Sequence, residues 1–199
     1  MTMNKLFLVA MTICLLTQAA SAQTHNQNSD STPYAGFEDR EIKSLSDADI
    51  DELRRGGGWG LALPAELNGK PGPAHLLELK NDLGLSDDQI AQITVIVDEM
   101  RREAIDAGER LIEAEAALSD AFAADSLDEE ELRDLVGNAE AIRAELRYIH
   151  LSRHLATTPI LTGHQVQKYQ VLRGYATNPC DSVPEGHDPE MWKKHNGCT

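Results

Sequence analysis

The chain has 199 residues and a net charge of −15, with 18 basic against 33 acidic side chains. So acidic a protein lacks the Lys and Arg surplus that nucleic acid or an anionic bilayer requires of a partner, and both are excluded. The length suits one domain.

The first element is a leader. Lys5 precedes an apolar run, 6–16, too short for a comfortable membrane span, and Ala20-Ser21-Ala22 is a small-residue cleavage site. The pattern predicts an exported protein cleaved after Ala22, so that 1–22 is signal peptide and the mature chain begins at Gln23. Cys14 lacks the small residues that a lipoprotein signal places before its cysteine, so no membrane anchor is expected. Without Lys5 the mature chain, 177 residues, carries −16. Cys180 and Cys198 are its only cysteines, and an even number in an oxidising compartment predicts one disulfide.

Residues 23–33 are polar and aperiodic and read as a disordered lead-in. A helical extension, 34–84, follows. From its first helix onward one pattern recurs four times: Leu45-Ser46-Asp47-Ala48-Asp49-Ile50, Leu85-Ser86-Asp87-Asp88-Gln89-Ile90, Leu127-Asp128-Glu129-Glu130-Glu131-Leu132 and Leu161-Thr162-Gly163-His164-Gln165-Val166. This is the grammar of a helix start. A Ser, Thr or Asp N-cap accepts from a free N–H of the first turn, the N3 side chain reaches back, and the flanking apolar pair closes over the turn.

The first capped helix covers 47–55 and stops at Gly56-Gly57-Gly58, read as a helix stop and flexible turn. The glycines lack the spacing and the following Lys-Ser or Lys-Thr of a phosphate loop. Asp47-x-Asp49-x-Asp51 resembles a calcium loop but has Glu52 where Gly is required and Gly58 where a bidentate Glu is required, which rules it out. One or two helical turns are expected over 61–67, a turn over 68–73, and a short helix over 74–82 with Leu76, Leu77 and Leu79 inward. Then Ile90, Ile93, Val97, Met100, Ala104, Ala107, Leu111, Ala114 and Leu118 repeat at three-four spacing, predicting a helix from Asp87 to Ala124, about 57 Å long. Gly108 within it implies a bend or a close helix contact. After a turn at Asp125-Ser126, Leu132, Leu135, Ala139, Ile142, Leu146 and Ile149 repeat the spacing to about Ala156, where Pro159 enforces an end. So short a turn makes the two helices antiparallel neighbours. A helix over 163–173 and a tail, 176–199, complete the chain. In the tail Asp188-Pro189 opens a last short helix through Met191, Trp192 and His195, ended by Gly197. No stretch alternates like a strand. The expected fold is all-α: a long antiparallel helical hairpin with additional capped helices and a short, disulfide-closed C-terminal helix.

Two starts carry the full skeleton Leu-Ser/Thr-x-x-Gln: Leu85, Ser86 and Gln89, and Leu161, Thr162 and Gln165. Together with the leader and the hairpin, they give 85–175 a resemblance to the LTxxQ family of Spy/CpxP-like periplasmic proteins. The related heavy-metal sensors and resistance proteins of the CnrX and ZraP type are similar in architecture. The resemblance implies a periplasmic stress protein, often a dimer, that holds unfolded or stressed proteins without ATP or restrains an envelope sensor. In the metal-responsive members it implies binding of divalent ions through His, Met and Glu. The acidic charge departs from the basic client surface of Spy, and the His positions do not copy the N-terminal metal motif of the CnrX type.

No residues suggest catalysis: there is no nucleophile elbow, no free Cys beside His and no phosphate loop. His150 and His154, one helical turn apart, can place two imidazoles on one metal, with His164 just beyond the Pro159 turn, or can be two polar positions flanking the seam. Met191 and His195 share that spacing, with His187 before their helix. They suit copper, or nickel, cobalt and zinc, or else Met191 and Trp192 form a small hydrophobic cap. Three functions follow: a non-enzymatic envelope-stress chaperone or signalling modulator, a heavy-metal sensor or resistance protein, and a structural interaction module.

Overall fold

A computed structural model describes residues 33–198. The leader, its cleavage site and the lead-in up to residue 32 lie outside the described residues. The chain divides after Ala35, and the compact unit from Gly36 onward carries everything below. Among the described residues all regular structure is helical: α1 (Asp47–Arg54), α2 (Leu63–Glu66), α3 (Pro73–Glu78), α4 (Lys80–Leu83), α5 (Asp87–Ala123), α6 (Glu129–Thr157), a 3-10 turn (Thr158–Ile160), α7 (Gly163–Leu172) and α8 (Pro189–Asn196).

The hairpin of α5 and α6 is the frame. Its seam buries Met100, Ala104, Ala107, Leu111 and Ala114 of α5 and Ala139, Ile142, Leu146 and Ile149 of α6, as the spacing predicts, whereas Ile93 and Val97, expected in the same seam, are buried in a second cluster. Cross-helix ion pairs fix the register: Arg153 to Glu103 at 2.7 Å, Arg110 to Glu145 at 2.7 Å and Arg143 to Glu115 at 2.5 Å. The last is the only one of these to reach a buried carboxylate, and Ser44 Oγ donates to the other Glu115 oxygen at 2.7 Å.

The segment before α5 is part of the core rather than an appendage. Ile42, Leu45 and Leu53 join the hairpin's main apolar cluster. Gly108 makes a close contact: α1 ends against it so tightly that an added Cβ would lie 2.7 Å from the Leu53 carbonyl oxygen. Gly56 likewise sits against α5, where a Cβ would meet the Arg101 carbonyl oxygen at 2.9 Å. The glycine run therefore does more than stop α1. Its first residue is packed, and its left-handed φ of 70° suits glycine. Trp59 is pinned over the hairpin, with its indole N–H on Asp49 at 2.8 Å and the Arg143 guanidinium 4.8 Å above its ring.

A second cluster gathers Leu76, Leu83, Leu85, Ile93, Val97 and Tyr169, with Leu77, Leu79 and Ile160 packed against it. The helix expected over 74–82 is here two, because Leu79 leaves the helical basin (φ −97°, ψ 12°). Leu76, Leu77, Leu79 and Leu83 span a wider arc than one straight helix of this length can turn inward, and the break lets all four reach the cluster.

Three of the four helix starts are full capping boxes: Ser46 with Asp49, Ser86 with Gln89, and Thr162 with Gln165. The Asp49 carboxyl is held below the usual carboxylate range, first by the Ser46 hydroxyl and then by the Trp59 indole. At α6 the cap is one-sided. Asp128 accepts from the Glu131 N–H at 2.9 Å, but no return bond forms. A glutamate folding back there would bring its carboxylate onto that of Asp128, whereas glutamine brings no charge.

Candidate functional site: a buried histidine and carboxylate cavity

The two glutamines of the repeated motif meet. Gln89 Nε2 donates to Gln165 Oε1 at 2.9 Å, and Gln165 Nε2 donates to Gln89 Oε1 at 3.0 Å. Each amide oxygen also accepts the N–H of its own N-cap at 2.9 Å. Gln89 Nε2 reaches the Ile160 carbonyl at 2.8 Å as well. One amide pair thus locks the starts of α5 and α7 together, which explains why both positions are glutamine. A shorter side chain would not span the gap, and a carboxylate could not donate.

That lock sets the position of α7, and α7 carries Tyr169 into the interior at 0% exposure. The Tyr169 hydroxyl donates to Glu66 Oε1 at 2.5 Å and accepts the Gly72 N–H at 3.3 Å. Burial, then the Glu66 carboxylate, push the Tyr169 hydroxyl far above the ordinary phenol range, so it stays a donor. Glu66 is itself buried. Arg173 Nε approaches its Oε1 at 3.4 Å, while Oε2 has no hydrogen-bond partner. The 3.4 Å contact is an ion pair but not a hydrogen bond, since the Arg173 N–H is poorly aimed and also counts as unpartnered.

His154 and His150 of α6 are both buried and turned toward the segment before α5 rather than to water; His154 faces Glu66, and His150 lies by Gly57 and Glu52. His154 Nδ1 lies 2.7 Å from the Lys70 carbonyl oxygen and 3.8 Å from Glu66 Oε2, so Nδ1 carries a proton and, in the neutral ring, the lone pair is on Nε2. That Nε2 and Glu66 Oε2 converge over Gly72: a Cβ added there would lie 3.3 Å from each. The Gly57 backbone lies beside the His150 ring, whose Nε2 is buried with no partner. Burial first, then the neighbouring His154, push the His150 imidazole below its ordinary value, which favours the neutral form that can ligate. Glu66, His150, His154 and Arg173, with Met100, line one cavity of about 670 Å³.

The remaining sequence candidates lie elsewhere. His164 is exposed and lines a separate cavity of about 270 Å³ with Asn178, Pro179 and Gly197, so it does not join His150 and His154. His187 packs edge-on against Trp192, ring centroids 5.0 Å apart, and His195 is exposed. Met191 points to solvent at 68% exposure, so it takes no part in a hydrophobic cap. Trp192 alone is anchored, its indole N–H on the Pro179 carbonyl at 2.8 Å. The cysteines are joined as expected, Cys180 to Cys198, with Cα atoms 5.5 Å apart. Among the described residues no three His, Cys, Asp or Glu side chains already converge as a metal site.

The residues that sequence reading missed are Glu66, Tyr169 and Arg173. A glutamate in a four-residue helix carries no periodicity signal, and its partners are about a hundred positions away.

The class these features define is that of small all-helical hairpin proteins, here with a buried His-x-x-x-His pair on α6 and a buried glutamate on α2. The chain belongs to the heavy-metal resistance family, whose model matches residues 57–168. The match spans both paired motifs, the whole hairpin, Glu66, His150 and His154. No curated protein and no solved structure matches the chain.

Proposed function

We propose that this is an exported, non-catalytic heavy-metal-binding protein that takes up one divalent ion of the borderline class in the cavity between α2 and α6. His150, His154 and Glu66 are the ligands. One observation carries the reading: two buried polar atoms, His150 Nε2 and Glu66 Oε2, have no partner, and His154 Nε2 lies with Glu66 Oε2 over Gly72, each 3.3 Å from where a Cβ would stand. Native interiors rarely leave such atoms unmatched, and an ion would satisfy all three. Two imidazoles and a carboxylate suit copper, nickel, cobalt or zinc rather than magnesium or calcium. When bound, the ion supplies positive charge and bonds that tie α6 to α2. The Lys70 carbonyl fixes the His154 tautomer, and Tyr169 holds Glu66 by its other oxygen, in the manner of outer-shell partners. Family membership supports a role in heavy-metal sensing or resistance, and the leader supports a periplasmic location. Calorimetric titration of residues 23–199 with each of the four ions tests this. One equivalent should bind, and His150→Ala with His154→Ala should abolish it. Binding that survives the double variant would refute the assignment.

A second reading has its own observation. Tyr148 and Leu155, 71% and 63% exposed, mark an apolar stripe on the outer face of α6, and Val95 and Phe122 of α5 are also more than half exposed. With the paired Leu-Ser/Thr-x-x-Gln starts, this supports an LTxxQ-type, Spy- or CpxP-like protein that covers apolar segments of stressed envelope proteins, docks on an envelope sensor or pairs with a second copy. Suppression of aggregation of a reduced client, lost in Tyr148→Glu with Leu155→Glu, would establish it. An unaffected client would remove it.

A further inference from the structure

Resting on the metal reading above, we propose that Arg173 is the resident counter-cation of Glu66, and that Glu66 exchanges it for the divalent ion, releasing the chain that follows α7.

A carboxylate as buried as Glu66 needs a compensating charge. The described neighbours offer only one permanent cation, the Arg173 guanidinium at 3.4 Å. The facing His154 approaches Glu66 Oε2 at 3.8 Å, but the Nδ1 that does so donates to the Lys70 carbonyl instead. Yet Arg173 is held loosely. Its Nε makes no hydrogen bond, its side chain is 30% exposed, and its far end rests on Tyr175 alone, donating to the hydroxyl at 3.3 Å with the guanidinium 5.7 Å over the ring. A structural arginine on a buried carboxylate is typically bidentate and fixed. This one neutralises without locking and has a route to water.

Its place in the fold gives the exchange a consequence. Arg173 is the C-cap of α7, and Gly174 turns the chain away with φ 76°. The turn is held by the Tyr175 and Ala176 N–H groups, which share the Gln170 carbonyl at 2.8 and 3.2 Å. A divalent ion beside Glu66 and a guanidinium within a few Å of it repel one another. As Arg173 swings out, it pulls on this turn, and the disulfide-closed tail begins a few residues later.

The test is a titration of the mature chain with nickel, cobalt, copper and zinc, each alone, comparing wild type, Arg173→Gln and Arg173→Lys. Removal of a competing cation should tighten ion binding in Arg173→Gln by about tenfold or more, while its ion-free form melts lower. Arg173→Lys should restore wild-type behaviour. Equal or weaker binding in Arg173→Gln, as expected of an ordinary structural contact, overturns the exchange and leaves the metal reading standing. Absence of binding in every form overturns both. Hydrogen exchange on wild type supplies a measurement that no variant's folding can spoil. Saturating ion should speed exchange at the Tyr175 and Ala176 amides while slowing it in α6. Slowing at both places contradicts the exchange.

Discussion

Gln165→Ala should cost far more than its position on a short helix suggests. Gln165 is 8% exposed, and the substitution removes three good hydrogen bonds: its acceptance of the Thr162 N–H at 2.9 Å, its acceptance of Gln89 Nε2 at 2.9 Å, and its donation to Gln89 Oε1 at 3.0 Å. At about 1 kcal/mol net per bond, the loss is about 3 kcal/mol. Gln89→Ala removes the same inter-glutamine pair plus its bonds to Ser86 and Ile160, and should cost a similar amount. Because the pair is shared, the double variant should fall short of the sum by about 2 kcal/mol. Urea unfolding of the two single variants and the double gives all three values. Strict additivity, or a Gln165→Ala cost below about 1 kcal/mol, would show that the amide pair does not join α5 to α7 and that each glutamine serves its own cap alone.

The caps themselves should be worth less: Ser86→Ala and Thr162→Ala each lower stability by about 1 kcal/mol, measured by thermal melts. Leu146 is 1% exposed in the seam, so Leu146→Asp should abolish the cooperative helical melt seen by circular dichroism. The loop closed by Cys180 and Cys198 spans a sequence separation of 18, worth about 3 kcal/mol in the chain-entropy picture. Reduction should loosen α8 in hydrogen exchange and leave α5 and α6 unchanged. His150, depressed by burial and by His154, gives the ion-free protein an acid-sensitive term. The unfolded chain binds the extra proton below about pH 6.5, so stability is full above that value and declines as pH falls toward the lower folded pKa, by at most about 1.4 kcal/mol per pH unit. Urea midpoints at pH 7.5 and 5.5 should differ by less in His150→Gln than in wild type.

The hairpin was legible because its residues obey one local rule. Ile93 to Ala114 and Ala139 to Ile149 alternate at three and four, and a period needs no knowledge of the rest of the chain. The caps were legible for the same reason, since Ser86 and Gln89 are three residues apart. That Gln89 would bond Gln165 was not legible, because the separation is 76 residues and nothing in either motif marks the other as its partner. The cavity was half visible. The spacing of His150 and His154 offered a ligand pair, but whether the pair faces water or the interior depends on the segment before α5, which folds back over α6. Glu66 is a lone acid in a chain rich in them, and only burial singles it out. The same chemistry in Met191 and His195 came to nothing locally, because α8 leaves Met191 in solvent.

His150 and His154, in the function proposed above, receive a borderline divalent ion. Imidazole nitrogen NMR of the mature chain during titration with paramagnetic nickel or cobalt tests it most directly, because each of the His rings reports for itself. The ring signals of His150 and His154 should broaden first and saturate near one equivalent, with His164, His187 and His195 responding only in excess ion. Broadening that begins at His187 or His195, or that never reaches His150 and His154, would contradict it.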